Sequence, residues 1–187
     1  MVSINRVVMQ PASRRIIKAL GPKDLEVAEV SGHWGREFDF KSYDIFRYPR
    51  WDICEGPYRD KVTGEMRTFD LVLANQVWEH LDRPYAATRH VYQMLRTGGH
   101  FWLAVPFFVP FHAAPQDNSR WSARGLKNLL IEGGFPEETI HSEQWGNRHV
   151  ALRNMEKEWP PEYDEKTDSI KNDPMMPICA WALAQKV

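Results

Sequence analysis

The sequence predicts an α/β fold: one domain built on a mostly parallel β-sheet with helices on both faces. Three observations carry this expectation. Short β-branched, apolar runs alternate along the chain with segments of helical periodicity. The strongest of these runs are apolar at nearly every position, as strands buried on both faces must be. A length of 187 residues, 43% hydrophobic and 26% charged, suits a single globular unit (1–187).

Taken in order, Asn5–Leu20 sets Val8, Ile16, Ile17 and Leu20 among basic residues, an amphipathic helix within an N-terminal segment 1–22 that Gly21-Pro22 ends. Leu25–Val30 alternates and is β-branched, a strand running into the small-residue turn Ser31–Gly35. Ser42–Tyr48 reads as a second strand and Phe69–Ala74 as a buried one. The apolar stripe Ala86, Ala87, Val91, Met94 and Leu95 predicts a helix over Pro84–Arg96, with Gly98-Gly99 as its C-cap. His100–Val109 reads as a further buried strand, and Ser122 as the N-cap of a helix through Leu126, Leu129, Leu130 and Ile131 that Gly133-Gly134 stops. Thr139–Trp145 is a weaker strand, and in Ile178–Lys186 helix and strand compete. Before it, residues 155–177 are charged and proline-containing, either a solvated loop or a lid over a pocket.

Composition excludes several classes of function. Lys plus Arg is 24 and Asp plus Glu is 25, so the basic excess of a phosphate-backbone binder is missing and no nucleic-acid partner is expected. No run approaches the roughly 20 apolar residues of a membrane span, and Met1–Leu20 lacks the unbroken apolar core of a signal peptide. Cys54 and Cys179 stand far apart, which fits a reducing, cytoplasmic setting rather than a disulfide framework. The seven histidines show no metal-ligand spacing, so no metal is expected, and neither a Walker loop nor a Gly-x-Ser-x-Gly elbow is present.

Three stretches can carry chemistry, each just past a predicted strand, where open α/β sheets bind ligands. Glu29-Val-Ser-Gly-His-Trp-Gly35 offers small residues and backbone N–H groups; a plain turn reads equally well. Asn75, Gln76, Glu79 and His80 follow the buried strand at Phe69, although Glu79 and His80 also suit a helix brace. His112, Asp117 and Arg120 form the third, with the last two spaced to pair and fix a loop.

In this order the motifs resemble the class I S-adenosylmethionine-dependent methyltransferases, in particular their compact small-molecule branch. The resemblance covers roughly Leu25–Phe135, with an echo at Pro177–Lys186. It rests on Phe69-Asp-Leu-Val through Glu79-His80-Leu-Asp-Arg-Pro84, Met94-Leu-Arg-Thr-Gly-Gly99, His100–Pro106, Gly133-Gly-Phe135 and His112-x-x-Pro115-x-Asp117-x-x-Arg120-Trp121. It implies a Rossmann-like doubly wound sheet, S-adenosylmethionine as cofactor, and methyl transfer to oxygen or nitrogen of a small-molecule acceptor. The implied cofactor-binding residues are Glu29, Ser31, Gly32, Gly35, Asp44, Asp52, Asn75 and Gln76. His80 and His112 are the candidate catalytic bases for an oxygen acceptor. Trp34, Trp78 and Trp121 flank the motifs and are candidates to stack on a ring. The implied partner is that small molecule, with no membrane association, and a homodimer is allowed.

The sequence departs from the family pattern in two places. Its first motif keeps Glu29 and Gly35 but has Ser31 and His33 where the family has glycines, so either the His33 Cβ crowds the cofactor or the turn uses Gly32. Asp44 is the candidate acid for the ribose although it lies inside a predicted strand; Asp52 resembles the later acid near adenine, or takes the ribose if the register has slipped. The stretch from Gly35 to Asp70 is too short for two βαβ crossovers of roughly 30 residues each. At least one helix must therefore be missing or reduced to a turn between the first and fourth strands of the family pattern, leaving the adenosine side shallow and open. These departures also motivate the alternative of a degenerate, non-catalytic module acting as a protein partner.

Overall fold

A computed structural model describes every residue except Met1, Ala114 and Lys157. The elements are α1 (Met9–Ala19), β1 (Glu26–Val30), β2 (Ser42–Phe46), β3 (Phe69–Asn75), α2 (Pro84–Met94), β4 (Leu95–Pro106), α3 (Ala123–Glu132), β5 (Ile140–Trp145), α4 (Arg148–Arg153) and β6 (Cys179–Gln185). They form one six-stranded sheet in the order β2-β1-β3-β4-β6-β5. The first four in that order are mutually parallel, and β6 runs antiparallel to both β4 and β5. The expected Rossmann-like sheet is present, and the competition at Ile178–Lys186 resolves to strand because β6 fills the gap between two strands.

Both faces are covered, and the period of two along each strand sorts side chains between them. Val72 and Ala74 of β3 join Leu103 of β4 under α2 and α3. Leu71 and Leu73 join Trp102 and Ala104 against α1 and α4. Ser122 caps α3 as expected, its hydroxyl accepting from the Gly125 N–H at 3.2 Å. Gly98-Gly99, by contrast, does not cap α2. The helix ends at Met94 and the chain enters β4 directly, with a register shift against β3 between Phe69 and Leu71. Gly98 has φ +81°, and a Cβ on Gly99 would lie 2.8 Å from the Arg96 carbonyl, so this irregular start of the strand needs both glycines.

The missing crossover helix is plain in the structure. Only a 3₁₀ turn, Trp34–Glu37, lies between β1 and β2, and residues 47–68 reach β3 through turns and one isolated bridge, Arg59 to Met66. Aromatic rings cover the sheet where helices would otherwise stand. On one face Trp34 stacks on Trp102 at 4.4 Å between centroids; on the other Tyr58 stacks on Phe46 at 4.0 Å. Trp34, Trp78 and Trp121 therefore serve the core rather than a ligand, and Trp78 is fully buried with its N–H donated to Thr88 at 2.9 Å.

The charged segment 155–177 is a strap tied down along its second half. Asn147 donates to the Ser169 and Lys171 carbonyls, Trp145 donates to that of Ile170, and buried Asp168 accepts from Arg153 at 2.5 Å. Gly146 lies beneath it, where a Cβ would stand 2.2 Å from the Met176 carbonyl oxygen. Gly146→Ala is expected to destabilise the protein by about 1–3 kcal/mol in urea unfolding, the usual penalty of overpacking. Gly56→Ala, facing open space, is expected to change it by less than about 0.5 kcal/mol.

Candidate functional site

A cavity of about 310 Å³ opens at the carboxyl ends of β1 and β3. Ligand sites typically start at about 300 Å³. Its walls are Val30, Ser31 and Gly32 after β1, the segment Tyr48–Cys54 with Tyr58, the turn Asn75–Val77, and His80–Asp82 facing Gln116. The chain makes two left-handed turns to shape it, Ser31 at φ 60° and Gln76 at φ 58°. Side chains rarely adopt this conformation, and both are held by backbone bonds to neighbouring strand ends. The Ser31 N–H donates to Phe46 at 2.7 Å and the Gln76 N–H to Ala104 at 2.8 Å.

Glu29 builds the first wall from behind. Its carboxylate is completely buried and accepts from the backbone N–H of Trp34 at 2.9 Å, from that of Gly35 at 2.7 Å, and from the Tyr43 hydroxyl. A Cβ on Gly32 would stand 2.0 Å from the Glu29 Oε1, so the turn closes over the carboxylate only with glycine there. The turn uses Gly32, and His33 is exposed, outside the cavity wall.

Ser31, Gly32, Asp52, Asn75, Gln76 and His80 line the cavity, whereas Glu29 and Gly35 sit behind it. Asp44 is not brought to it. β2 continues two residues past Asp44, which points away to pair with Arg67 at 2.5 Å. Asp52 is the acid at the cavity; one of its oxygens accepts from the Cys54 N–H at 2.8 Å. Three buried polar atoms on the wall have no partner among the described residues: Asn75 Oδ1, Gln76 Nε2 and the Tyr58 hydroxyl, whose pKa burial pushes up. Trp51, Tyr58 and Gln116 carry no sequence motif, since loops of irregular path bring them here.

His80 and His112 come together at the cavity's edge, their rings 5.2 Å apart and edge-on. The loop bearing His112 is pinned to the turn after β3: the N–H groups of Asn118 and Ser119 donate to the Glu79 carbonyl at 2.7 and 3.2 Å. Arg120 grips Asp117 through both guanidinium nitrogens, one at 2.6 Å, and holds that carboxyl down at about 2. Asp117 in turn accepts the His112 backbone N–H at 2.8 Å. Beneath the histidines Glu79 is fully buried, and that burial raises its pKa to about 8. The outer side of His112 is covered by Trp159 of the strap, with centroids 4.9 Å apart.

The clasp on Glu29 can be tested by itself. Glu29→Gln keeps one acceptor oxygen but sets its amide NH2 against one of the two backbone donors, and is expected to cost about 1.5–3 kcal/mol in chemical denaturation. Tyr43→Phe, which leaves the two backbone bonds in place, is expected to cost less.

Residues 36–103 match the family model described as a methyltransferase domain. No curated protein sequence matches the chain. Among solved structures, an S-adenosylmethionine-dependent methyltransferase from Mesorhizobium loti superposes with a TM-score of 0.59 at 16% identity, over 94% of this chain and 96% of that one. The 1,6-didemethyltoxoflavin-N1-methyltransferase of Burkholderia thailandensis gives 0.60 at 14% identity, over 97% and 79%. At such identities these likenesses speak for the fold, and the sequence match covers the cavity's central walls. The chain shares the fold of these S-adenosylmethionine-dependent methyltransferases, and its residues 36–103 are similar to the methyltransferase-domain family.

Proposed function

We propose that this protein transfers the methyl group of S-adenosylmethionine to oxygen or nitrogen of a small-molecule acceptor. The observation that carries the reading is the set of unpartnered polar atoms, Asn75 Oδ1, Gln76 Nε2 and the Tyr58 hydroxyl, on a cavity at the carboxyl ends of parallel strands. Buried atoms of this kind call for a polar ligand, and the donor set fits this one. Asp52 keeps one oxygen for ribose hydroxyls, the Asn75 oxygen suits an amine, and Val30, Trp51 and Ile53 form an apolar wall for a flat base. When bound, the cofactor supplies a methyl group on a sulfonium, already activated for displacement. The protein's contribution is then mainly alignment and exclusion of water.

For an oxygen acceptor a base is needed, and His80 is placed for it. Its Nδ1 lies 2.6 Å from the Gln116 carbonyl, which only accepts, so Nδ1 carries the proton and Nε2 presents a lone pair. The Burkholderia structure contains 1,6-didemethyltoxoflavin and S-adenosylhomocysteine, which supports a small acceptor for a fold of this kind.

Calorimetric titration with S-adenosylmethionine is the direct test, with binding expected at micromolar to low-millimolar concentration. Asn75→Ala removes an atom that has no partner in the protein, so it is expected to leave unfolding unchanged and weaken binding by about two- to tenfold. Absence of binding at millimolar cofactor would overturn the reading and favour a non-catalytic module.

A further inference from the structure

We infer that Glu79, His80 and His112 form a binding site for one divalent transition-metal ion at the edge of the cavity. One ligand atom from each of the three lies within 4.8 Å of the others. The His80 Nε2 is 3.7 Å from the Glu79 Oε1. Both Glu79 carboxylate oxygens are buried, and neither has a hydrogen-bond partner among the described residues. Both oxygens are therefore open to a cation, which would offset the cost of burying them without partners.

The histidines are oriented as metal ligands usually are. In such sites the far ring nitrogen donates its proton to a carbonyl or carboxylate, which fixes the tautomer and turns the other lone pair to the ion. His80 Nδ1 faces the Gln116 carbonyl at 2.6 Å, and His112 Nδ1 faces the Pro110 carbonyl at 3.1 Å with Asp117 beside it at 3.4 Å. A carbonyl cannot donate, so both rings carry the proton on Nδ1 and leave Nε2 free. The pinned loop makes the arrangement a built one. His112 is held against the Glu79 turn by backbone bonds, by Arg120 on Asp117, and by Trp159 on its outer side.

Two imidazoles and one carboxylate favour an ion such as Zn²⁺, Fe²⁺ or Co²⁺ over Mg²⁺ or Ca²⁺, which prefer all-oxygen shells. Ligand distances of about 2.0–2.2 Å need the three donors to close in by about 1 Å, within reach of side-chain rotation. Three protein ligands leave coordination positions open beside the cavity that His80 also lines; with the ion bound the His80 Nε2 is a ligand, so its role as base belongs to the metal-free protein.

The inference stands on these residues and does not depend on the methyl-transfer reading, so its test omits the cofactor. Full-length protein is stripped with a chelator, dialysed, and titrated with ZnCl₂ and separately with MgCl₂ by calorimetry. One Zn²⁺ per chain is expected, with Mg²⁺ at least about 100-fold weaker. Glu79→Gln and His112→Ala are each expected to weaken Zn²⁺ binding at least about tenfold, while His141→Ala, at an exposed position on β5, leaves it unchanged. Thermal melts of the stripped variants establish that they fold. Co²⁺ loaded in place of Zn²⁺ is expected to show visible d–d bands that His112→Ala abolishes. No saturable Zn²⁺ binding, or equal loss in His112→Ala and His141→Ala, would overturn the site. Cofactor titration of the stripped protein reports separately on methyl transfer.

Discussion

A single buried carboxyl group organises the β1 side of the cavity. Glu29 ends β1 with its side chain turned under the following loop, where two backbone N–H groups and a tyrosine hydroxyl satisfy it. A carboxyl group this deep is tolerated only when it is hydrogen-bonded, so its partners and the loop's path are mutually dependent. Gly32 and Gly35 can approach it only without side chains. The approach of the backbone to the cavity, the left-handed turn at Ser31 and the placement of Tyr43 on β2 all serve to keep that buried group hydrogen-bonded.

The second constraint is the short path from β1 to β3. Parallel neighbours usually need a helical crossover to bury the sheet face, and this chain spends too few residues between β1 and β3 for the two that β1-β2 and β2-β3 would call for. It uses rings instead: Trp34, Phe38 and Phe40 on one side, Phe46, Trp51 and Tyr58 on the other. An aromatic side chain buries a large apolar area per residue, so a few of them cover what a helix would. One consequence reaches the site. Trp51 and Tyr58 belong both to this cover and to the cavity wall, so that side of the cavity is walled by the same segment that replaces the helix.

The third region, around His80 and His112, depends on two loops that touch only through tertiary contacts. The turn after β3 and the loop after β4 meet because their strands are neighbours in the sheet. Backbone bonds to the Glu79 carbonyl set their spacing, and the Asp117–Arg120 pair stiffens the second loop. The spacing of Asp117 and Arg120 along the chain already indicated a loop brace. What the brace supports, a histidine set against a buried glutamate, becomes visible only once the loops are folded together.

Local chemistry determined most of the architecture. Runs such as Phe69–Ala74, the Ser122 cap and the Gly133-Gly134 stop report strands and helix ends because hydrophobic periodicity and capping act over a few residues. The missing crossover was also legible, since chain length bounds what can fit between Gly35 and Asp70. Tertiary structure decided the rest. It placed Gly98-Gly99 in an irregular strand start instead of a cap, because the neighbouring strand β3 lies against them. It made Asp52 rather than Asp44 the acid at the cavity, because β2 runs past Asp44 and Arg67 neutralises it. It also joined His112 to Glu79 and His80 across a long separation in sequence. Spacing along a chain reports only neighbours on one element; which strand ends meet is set by sheet order, and sheet order is settled by burial over the whole domain.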